Sequence, residues 1–91
     1  MEENLEMNEI ILDCAQIADK KQLHTALAEA LHFPQWYGNN LDALMDCLTE
    51  LEDETHLVLT NWPKNATFSE GFASTFADAA EENSAFTYTL V

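Results

Sequence analysis

Ninety-one residues with 47% hydrophobic content fit one small globular domain and leave no room for a second. Seventeen acidic residues stand against three lysines and no arginine, a formal net charge of −14 that disfavours nucleic acid and anionic membranes as direct partners and points to a basic protein. The chain opens with no basic segment followed by an apolar run, and no stretch reaches membrane-spanning length, so the expected compartment is the cytosol.

Residues 1–8 are polar and acidic without periodicity and read as a loosely ordered extension; the domain is expected over 9–91. Ile10, Ile11 and Leu12 form a short apolar run flanked by acids, the pattern of a strand buried on both faces. Asp19 with Gln22 resembles a capping box, and Leu23, Ala26, Leu27, Ala30 and Leu31 then recur at helical spacing. Pro34 closes that first helix, and Gly38 permits the turn into the next, either by a positive φ or by letting the backbone pass close to a partner.

The run WYGNNLDALMDCLTEL, residues 36–51, reads as an amphipathic helix with Asn40 as N-cap. Leu41, Leu44, Leu48 and Leu51 share one side, while Asp42 and Asp46 fall opposite with Ala43 between them. A first-turn carboxylate at Asp42 is favoured by the helix dipole by about 0.3 to 1 kcal/mol, so its position is explained by stability as well as by contact. Asp46 gains nothing comparable, and it repels Asp42 at the i, i+4 spacing. Glu50 then sits near the negative end of the dipole. A helix selected for stability alone would not collect carboxylates in this way, and the pattern implies a cationic partner.

His56 to Asn61, centred on Leu57, Val58 and Leu59, predicts a second strand. Residues 69–83 place Phe72, Phe76, Ala79 and Ala80 on one stripe and Glu70, Ser74, Asp78, Glu81 and Glu82 largely on the other, a last helix. In the closing segment 85–91, Phe86, Tyr88 and Leu90 alternate with Thr87 and Thr89, a third strand with one more polar face. Strands separated by helices imply an α/β fold with parallel pairing through right-handed crossovers.

The chemistry of an enzyme is missing from this pattern. With two glycines there is no phosphate-cradling loop. His24, His32 and His56 show no metal-ligand spacing, and His24 reads as a hydrogen-bonded, partly buried imidazole at the edge of an apolar stripe. No EF-hand spacing organises the carboxylates. Neither a cofactor nor a metal is expected. Cys14 and Cys47 lack CxxC spacing and are expected as reduced, partly buried thiols.

From Trp36 to Leu48 the chain resembles, nearly position for position, the aromatic-Tyr-Gly-x-Asn-Leu-Asp-Ala-Leu-x-Asp-Cys-Leu signature of the barstar family, intracellular inhibitors of a secreted ribonuclease. The similarity runs back through Pro34, the Leu23-His24 pair and Ile17, and resumes after one inserted residue at Leu57-Val58-Leu59 and Trp62. The last third matches in pattern only. The resemblance implies a three-stranded parallel sheet of order 1-2-3 packed with helices. It also implies an acidic helix that enters a ribonuclease active site, its carboxylates replacing substrate phosphates against the enzyme's cations, with which arginine forks pair well.

On that resemblance Asp46 aligns with the family's central anchor, Asp42 with its neighbour one turn earlier, and Asp78 with a secondary acidic contact. Trp36 aligns with an aromatic that touches the nuclease, although a core role suits a tryptophan equally. Tyr37 is expected to pack or hydrogen-bond inside, and Gly38, Asn39, Ala43 and Thr49 complete the expected contact surface. Met45 replaces a tryptophan of the family, and Thr55-His56 stands where the family has Tyr-Pro. The expectation is therefore a cytosolic ribonuclease inhibitor, monomeric when free, that binds a basic secreted barnase-like enzyme and protects the producing cell. An acidic adaptor for a different basic protein is the alternative.

Overall fold

A computed structural model describes residues 8–91, in the order β1 (Asn8–Asp13), α1 (Lys20–Leu31), α2 (Leu41–Thr49), β2 (Thr55–Thr60), α3 (Ser69–Glu82) and β3 (Phe86–Leu90). The first strand starts at Asn8, one residue before the expected domain start. The rest of the expected acidic extension, residues 1–7, lies outside the described residues.

The sheet is parallel with order β1-β2-β3, as the sequence and the resemblance imply. Two crossovers of the same hand stepping the same way place every helix on the same face, and residues of all three helices share one core with the sheet. That face holds the core. Leu57 and Leu59 of the central strand and Phe86 of β3 are fully buried against Leu23 and Leu27 of α1, Leu44 and Leu48 of α2, and Phe72 and Phe76 of α3. In register on the other face stand Glu9, His56 and Thr87, then Ile11, Val58 and Thr89.

This one-sided cover corrects the reading of the first strand. Ile11 is 64% exposed, so β1 is buried on one face only. A run of three apolar residues cannot distinguish a doubly covered strand from one whose outer face lacks a second helix layer. On the open face His56 Nδ1 meets Thr87 Oγ1 at 2.7 Å and its Nε2 meets Thr89 Oγ1 at 3.1 Å, so the histidine and the two threonines there satisfy one another.

Helix ends follow local chemistry. Asp19 accepts the Gln22 amide at 2.9 Å, while the Gln22 side chain accepts from Ala18, one residue earlier than in a standard capping box. At its other end α1 stops with His32 in the left-handed region (φ 58) and its amide bonded to the Ala28 carbonyl, two residues ahead of Pro34. On α3, Gly71 allows close approach of α2: a Cβ there would lie 2.9 Å from Leu41 Cδ1. Cys14 and Cys47 are both free and buried. Burial raises the pKa of each thiol above its ordinary value, with smaller contributions from Asp13 at Cys14 and from Glu50 and Asp46 at Cys47.

Candidate functional site

The loop from Phe33 to Asn40 and helix α2 form one continuous surface, held from beneath. Tyr37 is 9% exposed, its amide bonds to the Pro34 carbonyl, and its hydroxyl meets His24 Nδ1 at 2.5 Å in the core. The His24 ring also packs against Phe72, and the Phe33 ring against Tyr37, with centroid separations of 4.6 and 4.9 Å. Burial, reinforced by nearby Lys20, lowers the His24 pKa below its ordinary 6.5. A neutral imidazole can give or take a proton in that contact. Burial likewise raises the Tyr37 pKa well above the usual tyrosine range, so the phenol stays protonated. The sequence anticipates an inward Tyr37 and a buried His24; their pairing emerges only from the fold, because thirteen residues separate them.

Trp36, next to this buried tyrosine, is 61% exposed. Alternation about an anchored neighbour thus turns the larger aromatic to solvent. Of the two uses expected for Gly38, the positive φ is not found there; Asn39 takes it instead, at 56°. Gly38 has a different use. A Cβ at this position would lie 3.0 Å from Asn40 Nδ2, so the missing side chain leaves room for the N-cap. Asn40 then bridges loop and helix, with Oδ1 accepting the Ala43 amide at 2.8 Å and Nδ2 donating more weakly to the Gly38 carbonyl at 3.4 Å.

Helix α2 buries Leu44, Cys47 and Leu48, with Leu41, Met45 and Leu51 partly buried beside them. Asp42 and Asp46 are exposed on the outward face, and Ala43 and Thr49 are half-buried at its margins. Neighbours at i, i+4 stand about 5 to 6 Å apart at Cβ, so the two carboxylates form one patch. Among the described residues, Asp13 and Asp19 are the carboxylates that accept hydrogen bonds from this chain. Asp42 and Asp46 are free to meet another molecule. Thr49 is less free: its hydroxyl lies within hydrogen-bond reach of the Met45 and Asp46 carbonyls at 2.9 and 3.1 Å.

The two acidic helices run parallel. Gly71 near the start of α3 abuts Leu41 at the start of α2, and Asn83 just past the end of α3 reaches the last carbonyls of α2. Asp78 follows Gly71 by seven residues, two turns along the same stripe, and it is exposed. It therefore sits on the α2 side of α3, level with the second half of α2. Asn39 is also exposed, beside Asn40 at the loop end. The fold thus collects Trp36, Gly38, Asn39, Asp42, Ala43, Asp46, Thr49 and Asp78 along α2 and its flanks. Sequence reasoning missed the Asn83 contact; its faint signal is an α2 terminus with neither glycine nor a basic residue in its last turn.

Among the described residues no group of three or more metal-ligating side chains comes together, and no helix is long and apolar enough to cross a membrane. Comparison with known proteins adds the relationship. A family model described as Barstar (barnase inhibitor) matches residues 7–90. A Bacillus subtilis (strain 168) protein named "Putative ribonuclease inhibitor YrdF" is 44% identical over 72 residues, 79% of this chain and 76% of that protein. A match over nearly the whole chain, on the fold the signature implies, settles the relationship: this chain belongs to the barstar family.

Proposed function

We propose that this chain inhibits a basic ribonuclease by laying α2 and the preceding loop across the enzyme's active site. It acts as an inhibitor and not as an enzyme, in keeping with its family and with its named relative. The observation that carries the mechanism is the pair Asp42 and Asp46, exposed side by side on a helix whose other face is sealed into the core. Two carboxylates on a rigid support present the charge and spacing that a phosphate-binding cleft lined with arginine and lysine recognises. Trp36 supplies an exposed aromatic at one end, Asp78 a third carboxylate at the side, and the −14 net charge steers a cationic partner toward the whole face. The compartment in this reading is the cytosol of the cell that secretes the nuclease.

The test is titration of the protein into barnase and into basic ribonucleases secreted by the source cell, with RNA cleavage as readout. Loss of cleavage at one-to-one mixing is the expected result. Binding without loss of cleavage would replace active-site masking with the adaptor role. RNA cleavage by the protein alone, abolished by Asp42→Asn with Asp46→Asn, would overturn the inhibitor reading outright.

A further inference from the structure

The last turn of α2 closes itself only in part: the Thr49 hydroxyl and the Glu50 amide reach the Met45 and Asp46 carbonyls, while the Leu51 amide lies a long 3.4 Å from the Leu48 carbonyl. Its C-cap, Glu50, keeps a right-handed conformation, and the turn carries no basic side chain. A helix terminus leaves carbonyls without intrahelical partners, and here the dipole makes that end repel the adjacent Glu50 carboxylate. The partner comes from elsewhere in the chain. Asn83 Nδ2 lies 3.0 Å from the Leu48 carbonyl, 3.3 Å from that of Thr49 and 2.9 Å from that of Leu51. Its Oδ1 accepts the Ala85 amide at 3.0 Å, and its own amide donates to the Ala79 carbonyl at the end of α3. One half-buried amide therefore joins the end of α2, the end of α3 and the start of the turn into β3.

We infer that Asn83 is a positioning residue for the acidic surface, a C-terminal cap supplied across the fold that sets α2 against α3 and so fixes Asp46 relative to Asp78. The inference rests on the inhibitory reading of these carboxylates. Leu41 against Gly71 sets the spacing of the two helices at one end; Asn83 sets it at the other. Without the second tie, α2 can fray from Leu48 onward or rotate about its buried leucines, and either motion moves Asp46 against Asp78 while the core stays closed. Preorganised charges bind without first being ordered, so the loss falls on the lifetime of the complex.

The test compares Asn83→Asp and Asn83→Ala with Asn61→Ala. Asn83→Asp preserves shape and the acceptor for Ala85 while replacing the donor with an oxygen that faces three carbonyls. Asn61→Ala is a destabilised control at the opposite end of the sheet, just past β2, where it removes a bond to Asp13 at a residue with φ 54. In the free protein, amide exchange at Glu50 and Leu51, which bond to the Asp46 and Leu48 carbonyls, should quicken at least about tenfold in both Asn83 variants. Exchange at Leu57 and Leu59 should change much less. With barnase as probe, dissociation of both Asn83 variants should be about tenfold faster at an unchanged association rate, while Asn61→Ala dissociates like the parent. Uniform quickening of exchange across the sheet, or an Asn83→Asp protein that matches the parent in both measurements, would overturn the inference. Failure of the parent protein to bind barnase would count against the proposed function, and exchange alone would then uphold or overturn the pinning of α2.

Discussion

Two surfaces of this protein lack cover among the described residues, and their polar groups differ in how far they pair with one another. On the open face of the sheet, His56 bonds to Thr87 and Thr89, and the apolar residues Ile11 and Val58 stand as β-branched neighbours in one row. On α2 the outward carboxylates accept nothing from the described residues, yet the segment beneath them is anchored at Tyr37, Asn40 and Asn83. The sheet face pairs its histidine with its threonines and leaves Glu9 as a single carboxylate unpaired among the described residues, whereas the helix face is held rigid with two carboxylates side by side and unspent. Unspent charge on a fixed support suits recognition, because binding then orders little and pairs much. A face whose histidine and threonines already pair gains less from a partner.

The sharpest break of this contrast is Asp46→Ala. It should weaken ribonuclease binding by at least about 2 kcal/mol, the general threshold of an interface hot spot, part of it the cost of leaving the enzyme's cation buried and unpaired. Thermal stability should hold or rise slightly as the repulsion with Asp42 goes. Titration calorimetry decides, and an affinity within about threefold of the parent would remove Asp46 from the anchor role.

Tyr37→Phe attacks the support instead of the charge. It leaves His24 Nδ1 without its partner in the core, at a cost of about 1 to 3 kcal/mol in unfolding free energy. Denaturant unfolding would register the loss, and a silent substitution would show that the contact holds nothing in place.

The burial of His24, with Lys20 nearby, predicts a pH dependence. His24 has a folded-state pKa below its ordinary 6.5, so between those two values the unfolded chain binds a proton that the folded chain does not. Stability is then full above about pH 6.5 and is lost as the pH falls toward the lowered folded value. Unfolding curves at pH 7.5 and 5.5 should show this decline, and His24→Gln should flatten it. An equal slope in the variant would assign the effect to other groups.

Association with the ribonuclease should slow steeply as salt rises through the physiological range, while dissociation changes much less. Stopped-flow rates that ignore salt would separate the −14 charge from recognition. At the small end, Ile11→Thr on the open sheet face should alter stability by no more than about 0.5 kcal/mol and leave binding unchanged, as expected of an exposed site. An affinity loss there would make the sheet face part of the contact and erase the distinction between the two surfaces.

The local signals of this chain were legible where a few consecutive residues carry them. The caps at Asp19 and Asn40 accept amides of their own helices, and the leucine stripe of α2 with the alternation of Phe86, Tyr88 and Leu90 marks buried faces by periods of 3.6 and 2. The outward pair Asp42 and Asp46 follows from the same period. Sequence by itself therefore determined the elements, their parallel pairing once the crossover rule is applied, and the acidic face, while the strand order came from the family resemblance. Tertiary structure alone decided the rest. Ile11 is exposed because the described helices all cover the other face, the positive φ falls at Asn39 while Gly38 makes room for the Asn40 side chain, and His24 meets Tyr37 because α1 and the loop pack together. Asn83 closes α2 from 32 to 35 residues away. Such contacts join residues whose separation along the chain has no period, so their energy arises only when the chain closes on itself.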